Sequence, residues 1–228
     1  FGPRAKMVRM NGFDTDWAAA DLEVIAKARP EAILLPKVNS AADIQRLADT
    51  LDAKSATADT TIWAMMETPL SILNAKEIAA APRMAGFVMG TNDLAKELNC
   101  RFRADRLPMQ YALQTCLMAA RAAGIVAIDG VYNAFKDETG LLAECTQGRD
   151  MGFDGKSLIH PAQIEIANAA FAPSDAELEL AARQIAAFAE AQAAGQGVAV
   201  VDGKIVENLH IMMAEALLAK ASAIAAMA

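Results

Sequence analysis

Short apolar runs alternate along the chain with longer amphipathic stretches, a pattern typical of strands alternating with helices. Six runs predict buried parallel strands because they are short, apolar and either β-branched or followed by turn residues: Ala5–Met10, Glu31–Pro36, Thr61–Met66, Ala85–Gly90, Gly124–Ile128 and Lys156–Ile159. The stretches between them predict helices at Ala18–Ala28, Ala41–Leu51, Ser71–Ala81, Leu107–Ala123 and Glu138–Met151. This alternation predicts an α/β fold with a parallel sheet.

Two sheet architectures fit that alternation, an open doubly wound sheet and a TIM (β/α)8-type barrel. No Gly-rich phosphate loop follows the first strand, and carboxylates recur at strand ends, so the pattern favours the barrel. A closed barrel has eight strands, and only six are visible. We therefore expect residues 1–171 to form strands 3–8 of a barrel that lacks about its first two βα units.

Residues 172–228 follow the last barrel strand and predict an extension of a different kind. A Pro-Ser-Asp helix start at Pro173–Asp175 opens a long Ala-rich helix that reaches about Ala194. Val198–Val206 predicts a hairpin with its turn at Asp202-Gly203, and Leu209–Ala226 predicts a final amphipathic helix. These elements cannot fit inside a barrel, so we expect them on its rim or on a neighbouring subunit.

Composition narrows the class of protein. The 228 residues are 54% hydrophobic, enough for one sizeable core, and the net charge of −7 argues against nucleic-acid binding. Three cysteines without a CxxC pair predict reduced thiols and a cytoplasmic location. Charges interrupt the Ala-rich helical stretches before about 18 residues, which predicts that no helix spans a membrane.

Glu67 and Asp93 are the most informative pair of residues, because each follows one of two successive predicted strands. Parallel strands place their carboxyl ends at one edge of the sheet, so the two carboxylates should lie close together. No Lys or Arg adjacent in sequence neutralises them, so a hard divalent cation or a shared proton is expected between them, and Mg²⁺ is the natural candidate. Alternatively, Glu67 is a carboxylate at a helix N-terminus, where the helix dipole stabilises it, and Asp93 is an ordinary N-cap.

Three further charged residues stand at strand ends. Arg9 offers a planar fork for a carboxylate or a polarised carbonyl, or else forms a structural ion pair. Lys37 is expected to orient a ligand, since nothing in the sequence indicates the desolvated amine that a Schiff base requires. Asp129 either binds a ligand amine or a water near the substrate, or caps the turn that follows it.

The two histidines carry weaker signals. His160 precedes Pro161 at the end of the sixth predicted strand, where it is either a general base or a hydrogen-bonded structural group. His210 lies in the final predicted helix, and we expect it to have no functional role.

Seven ordered motifs, taken together, resemble the citrate lyase β-subunit/malyl-CoA lyase family, relatives of the HpcH/HpaI aldolases. They are VRMNG, ILLPKV, METP, GTNDLAKEL, AAGIVAIDGVY, MGFDGKSLIHPAQI and FAPSDAE. The resemblance extends from about Ala5 to Leu209. It implies an incomplete TIM barrel, because the family has two earlier strands, one with an Arg-rich start and one ending in Leu-Glu-Asp.

The resemblance also implies roles for individual residues. Arg9 matches the family's substrate-binding arginine, and Glu67 and Asp93 match its Mg²⁺ ligands. Many of these lyases carry an acidic residue, usually Asp, in a C-terminal DGKMID-like segment that reaches the active site of a neighbouring subunit. Here the segment is DGKIVE, so Glu207 stands at the acidic position, and its extra methylene could alter rate or substrate choice.

The function implied by this resemblance is Mg²⁺-dependent carbon–carbon cleavage of a 3-hydroxyacyl-CoA thioester, such as a malyl-CoA, citramalyl-CoA or citryl-thioester substrate. The Lewis-acid cation would polarise the carbonyl that forms, and Arg9 would stabilise the departing enolate. The rivals are a malyl-CoA thioesterase, a pyruvate-type class II aldolase, and a subunit without activity that binds an acyl carrier. A shared site further predicts a homotrimer or hexamer.

Overall fold

A parallel sheet of six strands organises the first part of the chain. The computed structural model describes residues 4–54 and 57–227, which form two units, Phe1–Phe171 and Ala172–Ala228. The six strands of the first unit are β1 (Met7–Arg9), β2 (Ala32–Leu35), β3 (Thr61–Met66), β4 (Met84–Met89), β5 (Val126–Asp129) and β6 (Gly155–Lys156). Each pairs in parallel with its sequence neighbour, and the sheet curls like part of a barrel.

This topology confirms the expected α/β fold with a parallel sheet. Among the described residues β1 and β6 are the two edges of the sheet, so these six strands alone do not close a barrel. That two further βα units complete it stays a prediction. Helices connect the strands: α1 (Ala18–Ala28), α2 (Ala41–Asp52), α3 (Pro69–Leu73), α4 (Ala75–Ala79), α5 (Thr91–Glu97), α6 (Gln110–Ala123), α7 (Glu138–Met151) and α8 (Ile164–Phe171).

The core of this unit lies between the sheet and the helices that cover it. Every residue of β2 is buried, whereas β3 alternates between buried and half-buried positions. Fully buried side chains such as Ile33, Leu47, Ile62, Ile78 and Phe87 interlock the strands with the helices. This burial pattern is the one expected of a parallel sheet covered by helices. Packing in this core holds the strands in one register, so that their carboxyl ends stay aligned.

Two predicted elements differ from the observed ones. The single helix expected at Ser71–Ala81 is instead the pair α3 and α4, because Asn74 leaves the helical conformation between them and its side chain donates to the Asn39 carbonyl at 2.8 Å. The sixth strand pairs only over Gly155–Lys156, not Lys156–Ile159. Beyond it, the Ser157 N–H still donates to the Asp129 carbonyl, but the chain then bends toward Pro161.

A cluster of four charged side chains lies inside this unit where β5 and β6 end. Arg106 Nη1 is 2.7 Å from each carboxylate oxygen of Asp129, and both side chains are almost completely buried. Lys156 Nζ contacts Asp129 Oδ2 at 3.3 Å and Glu144 Oε1 at 2.6 Å. The two positive and two negative charges compensate one another. The cluster thereby connects β5, β6, α7 and the loop before α6.

The second unit contains a long helix, a hairpin and a terminal helix. These are α9 (Asp175–Ala193), the antiparallel strands β7 (Ala199–Val201) and β8 (Lys204–Val206), and α10 (Asn208–Met227). The hairpin turn lies at Asp202-Gly203, as predicted, and both residues adopt the positive φ that this kind of turn requires. Phe188, Val201 and Val206 lie in its small core.

By length and composition, α10 could cross a membrane. It has 20 residues with a mean hydropathy of 1.4, and only Glu215 and Lys220 are charged. Glu215 and Lys220 do interrupt the helix, as expected, but its mean hydropathy still allows a membrane span, so the absence of a spanning helix stays a prediction. Most of its side chains are not buried against the described part of the chain. One helix of this kind is weak evidence for a membrane protein.

The buried cluster makes a testable prediction about stability. Replacing Arg106 with Met should lower the free energy of unfolding by about 3–5 kcal/mol, because the Asp129 carboxylate would stay buried without its main partner. Urea denaturation would measure the change. The matched control is Arg103→Met, which removes an exposed pair with Asp105 and should leave the midpoint unchanged. Equal stability of Arg106→Met and wild type would contradict the prediction.

Candidate active site

The carboxyl ends of β2, β3 and β4 bring three charged side chains together. Lys37 follows β2, Glu67 follows β3 directly, and Asp93 lies in the first turn of α5, just after β4. Parallel pairing of the three strands aligns their ends at the same edge of the sheet. The predicted proximity of Glu67 and Asp93 is thus observed, and Lys37 joins them.

Glu67 is the buried member of this group, with only 4% of its side chain exposed. The backbone N–H of Lys37 donates to Glu67 Oε1 at 2.8 Å. Lys37 reaches this position with a φ of 54°, in the left-handed region that non-glycine residues rarely adopt. Desolvation raises the pKa of Glu67 above its ordinary value, and the negative charge of Asp93 contributes in the same direction.

Asp93 is the half-exposed member, and it accepts a hydrogen bond from the ammonium of Lys37. Lys37 Nζ lies 2.6 Å from Asp93 Oδ1 and 4.0 Å from Glu67 Oε1. This hydrogen bond lowers the pKa of Asp93. The sequence shows no cation adjacent to either carboxylate, but the fold supplies one from the neighbouring strand end. One lysine therefore contacts both acids, through its backbone and through its side chain.

Gly90 leaves the space into which Glu67 fits. A Cβ at this position would lie 2.3 Å from Glu67 Cβ and 2.8 Å from Glu67 Oε2. No side chain can occupy that space without moving the carboxylate, so glycine is required for this approach of β4 to β3. The oxygen Oε2 faces this space, while Oε1 is held by Lys37.

The donor set is suited to a hard cation with an incomplete protein shell. The described residues contain no group of three or more His, Cys, Asp or Glu that could hold a metal ion. Two carboxylates, one of them 44% exposed, remain at this position. Mg²⁺ commonly takes one or two carboxylates and fills its other positions with water or substrate oxygens, so Glu67 and Asp93 fit it.

Arg9 ends β1 on the same edge of the sheet. Its side chain is exposed and forms no ion pair within residues 4–54 and 57–227, so the structure does not show the ion pair considered from the sequence. The positive charge of Arg9 acts against the upward pKa shift of Glu67. Arg9 is thus a free guanidinium in the electrostatic field of the carboxylate pair.

A cavity of about 320 Å³ opens beside Lys37, between the ends of β1 and β2. It is lined by Phe13, Lys37, Asn39 and Arg46, among others. The guanidinium of Arg46 lies 4.1 Å from the centre of the Phe13 ring. The sequence gives no signal for Arg46, because a charged residue on an amphipathic helix does not indicate a cavity.

Asp129 does not join this group as a solvent-facing ligand. Its carboxylate is fully buried and accepts two hydrogen bonds from Arg106. It also accepts a hydrogen bond from the N–H of the next residue, Gly130, at 2.8 Å. The geometry corresponds to the turn-capping alternative with an added ion pair. Arg106 was missed from sequence because it lies in a loop, where no periodic pattern indicates burial.

The histidines and Glu207 have structural surroundings of different kinds. His160 Nδ1 accepts the Ala162 N–H at 3.1 Å and its ring stacks on Phe135, which matches the hydrogen-bonded structural alternative. His210 is not without a role, since its Nδ1 accepts the Glu207 N–H at the start of α10. Glu207 itself is exposed and lies in the second unit. Its proposed catalytic role stays a prediction.

Comparisons with known proteins agree with the motifs. A family model described as HpcH/HpaI aldolase/citrate lyase matches residues 2–161. A (3S)-malyl-CoA thioesterase of Cereibacter sphaeroides is 65% identical over 226 residues, covering 99% of this chain and 77% of that protein. The citrate lyase subunit beta of Leuconostoc mesenteroides subsp. cremoris is 36% identical over 229 residues, covering 98% and 76% respectively.

A solved structure supports the same assignment. The protein CitE from Mycobacterium tuberculosis, in complex with magnesium, acetoacetate and coenzyme A, superposes with a TM-score of 0.79 at 32% identity. The match covers 95% of this chain and 78% of that one. The ordered motifs, the parallel sheet and these matches lead to one conclusion: the chain belongs to the HpcH/HpaI aldolase/citrate lyase family.

Proposed function

We propose that this chain hydrolyses the thioester of a malyl-CoA-type substrate, with Mg²⁺ held by Glu67 and Asp93. The observation that carries the proposal is the carboxylate pair at the edge of the sheet, one acid buried and one half-exposed. Support for the substrate comes from the similarity to a (3S)-malyl-CoA thioesterase over nearly the whole chain. Support for the cation comes from the CitE complex with magnesium and coenzyme A.

When bound, Mg²⁺ supplies Lewis-acid polarisation of substrate oxygens. The residues of the chain prepare the rest of the site. The Lys37 N–H fixes Glu67, and Gly90 gives its carboxylate room. Arg9 presents a planar fork toward the negative charge that develops on the thioester oxygen. In hydrolysis, a water oxygen adds to the thioester carbon, the carbon–sulfur bond breaks, and coenzyme A leaves as its thiol.

Carbon–carbon cleavage is the second candidate function, favoured by the similarity to citrate lyase subunit beta and by acetoacetate in the CitE complex. Cleavage of malyl-CoA would remove the proton of the 3-hydroxyl group, break the C2–C3 bond to give glyoxylate and a thioester enolate, and protonate that enolate at C2. The products would be glyoxylate and acetyl-CoA. Arg9 would face the thioester enolate in this reaction, so the same group of residues serves both chemistries.

The products distinguish the two functions. Incubated with malyl-CoA and Mg²⁺, the protein is expected to release malate and free coenzyme A in equal amounts, without acetyl-CoA. Mass spectrometry of the mixture would detect both sets of products. Acetyl-CoA and glyoxylate as the main products would instead establish the lyase, and no turnover of any 3-hydroxyacyl-CoA ester would reject both.

The metal assignment predicts the behaviour of an Asp93 variant. Asp93→Asn should lose most of its Mg²⁺ binding, because the cation would lose one of its two protein carboxylates. Isothermal titration calorimetry would measure the affinity. Asp105→Asn, which changes an exposed carboxylate paired with Arg103, is the control and should bind as wild type does. Unchanged affinity in Asp93→Asn would remove Asp93 from the site.

We further propose that Glu207 completes the active site of an adjacent subunit in a homo-oligomer, a trimer or hexamer. The support is the match of DGKIVE to the family segment that crosses between chains, and the exposure of Glu207. Head-to-tail donation of one segment to the next subunit closes naturally as a ring.

Subunit mixing would check this arrangement. Arg9→Ala and Glu207→Ala are each expected to be inactive alone. After verified exchange of subunits, part of the activity should return, because some interfaces would combine an intact Arg9 with an intact Glu207. The same mixture without exchange is the control. A monomer by light scattering, or no recovery after exchange, would count against the shared site.

A further inference from the structure

Lys37 contacts both carboxylates of the site with two different groups. Its backbone N–H donates to Glu67 Oε1. Its ammonium, at the end of the four methylene groups of the side chain, donates to Asp93 Oδ1 at 2.6 Å. The ammonium also lies 4.0 Å from Glu67 Oε1. Lys37 is thus the cation nearest to both acids among the ion pairs of the described residues.

The backbone of Lys37 is held in place, whereas its side chain is partly exposed. Val38, directly after it, is buried, and the hydrogen bond from the Lys37 N–H to Glu67 supports the left-handed conformation of Lys37. The side chain itself is 39% exposed and lines the cavity of about 320 Å³. The ammonium can therefore leave Asp93 for that cavity without disturbing the bond that positions Glu67.

We propose that the Lys37 ammonium competes directly with Mg²⁺ for Asp93 Oδ1. This inference rests on the proposed function, because it concerns the same carboxylate pair. Both positive charges would lie beside the same carboxylate oxygen, where they repel each other, so each weakens the binding of the other. Direct coordination of Mg²⁺ by Asp93 Oδ1 is therefore strongest after the ammonium has withdrawn.

Two consequences follow for the site. The internal ammonium weakens the binding of Mg²⁺, because the cation must replace an existing ion pair as well as shed water. The displaced ammonium then faces the cavity, which is lined by Arg46 and also by Asp14 and Asp43. Metal binding and the position of a positive charge in this cavity are thereby coupled through one side chain.

Calorimetric titration with Mg²⁺ alone tests the competition through Lys37→Met. This change removes the ammonium and keeps both the length of the side chain and the backbone N–H to Glu67. We expect Mg²⁺ to bind about twofold to fivefold more tightly than to wild type, the range that loss of a partly exposed ion pair supports. If the Lys37 ammonium instead positioned Asp93 for the metal, Lys37→Met would bind Mg²⁺ more weakly than wild type.

Two further variants keep the test sharp. Lys54→Met removes another lysine that lies 2.6 Å from a carboxylate, that of Glu23, and should leave the affinity for Mg²⁺ unchanged. Lys37→Arg retains the competing charge, so it should not show the gain seen for Lys37→Met. Circular dichroism of each variant would establish that it is folded. If Lys37→Met does not fold, Lys37→Gln gives the same comparison.

The outcomes separate this inference from the proposed function. Equal or weaker Mg²⁺ binding by folded Lys37→Met, with normal binding by wild type, would overturn the competition and leave the metal assignment intact. A gain of the same size in Lys54→Met or Lys37→Arg would also overturn it. No measurable Mg²⁺ binding by wild type, at a pH where both carboxylates are ionised, would reject the metal site itself.

Discussion

Burying the carboxylate of Glu67 costs free energy unless nearby groups stabilise its charge, and the edge of the sheet is arranged around that requirement. The Lys37 N–H donates to one oxygen, the missing side chain of Gly90 makes space for the other, and the Lys37 ammonium balances the adjacent Asp93. These groups come from two strand ends, Lys37 after β2 and Gly90 after β4. The register of the parallel sheet therefore brings together the groups that allow the Glu67 carboxylate to be buried at this position.

Two acids at neighbouring strand ends have opposite environments in this fold. Asp93 is half-exposed and held by the partly exposed side chain of Lys37, whereas Asp129 is fully buried between Arg106 and Lys156. The first carboxylate is accessible from solvent. The second is satisfied inside the protein, where removal of a partner is costly. Exposure thus separates the acid that is proposed to bind a cation from the structural one.

The two units of the chain contribute different kinds of chemistry to the proposal. The first holds the carboxylate pair, Arg9 and the cavity beside Lys37 on one sheet edge. The second holds Glu207 at the start of an apolar helix, with His210 capping that helix. The proposed role of Glu207 therefore depends on the proposed assembly of subunits.

The sequence by itself determined the order of strands and helices, the pairing of Glu67 with Asp93, and the Asp202-Gly203 hairpin. These features depend on local periodicity, turn chemistry and the rule that parallel strands share an edge. Ordered motifs also indicated the family. Only the tertiary structure decided that Lys37 lies between the two acids, that Asp129 is enclosed by Arg106, and that Asn74 divides a helix. These are contacts between residues far apart along the chain. Periodicity places charges at a common edge of the sheet, but it does not indicate which side chains from loops and helices reach them.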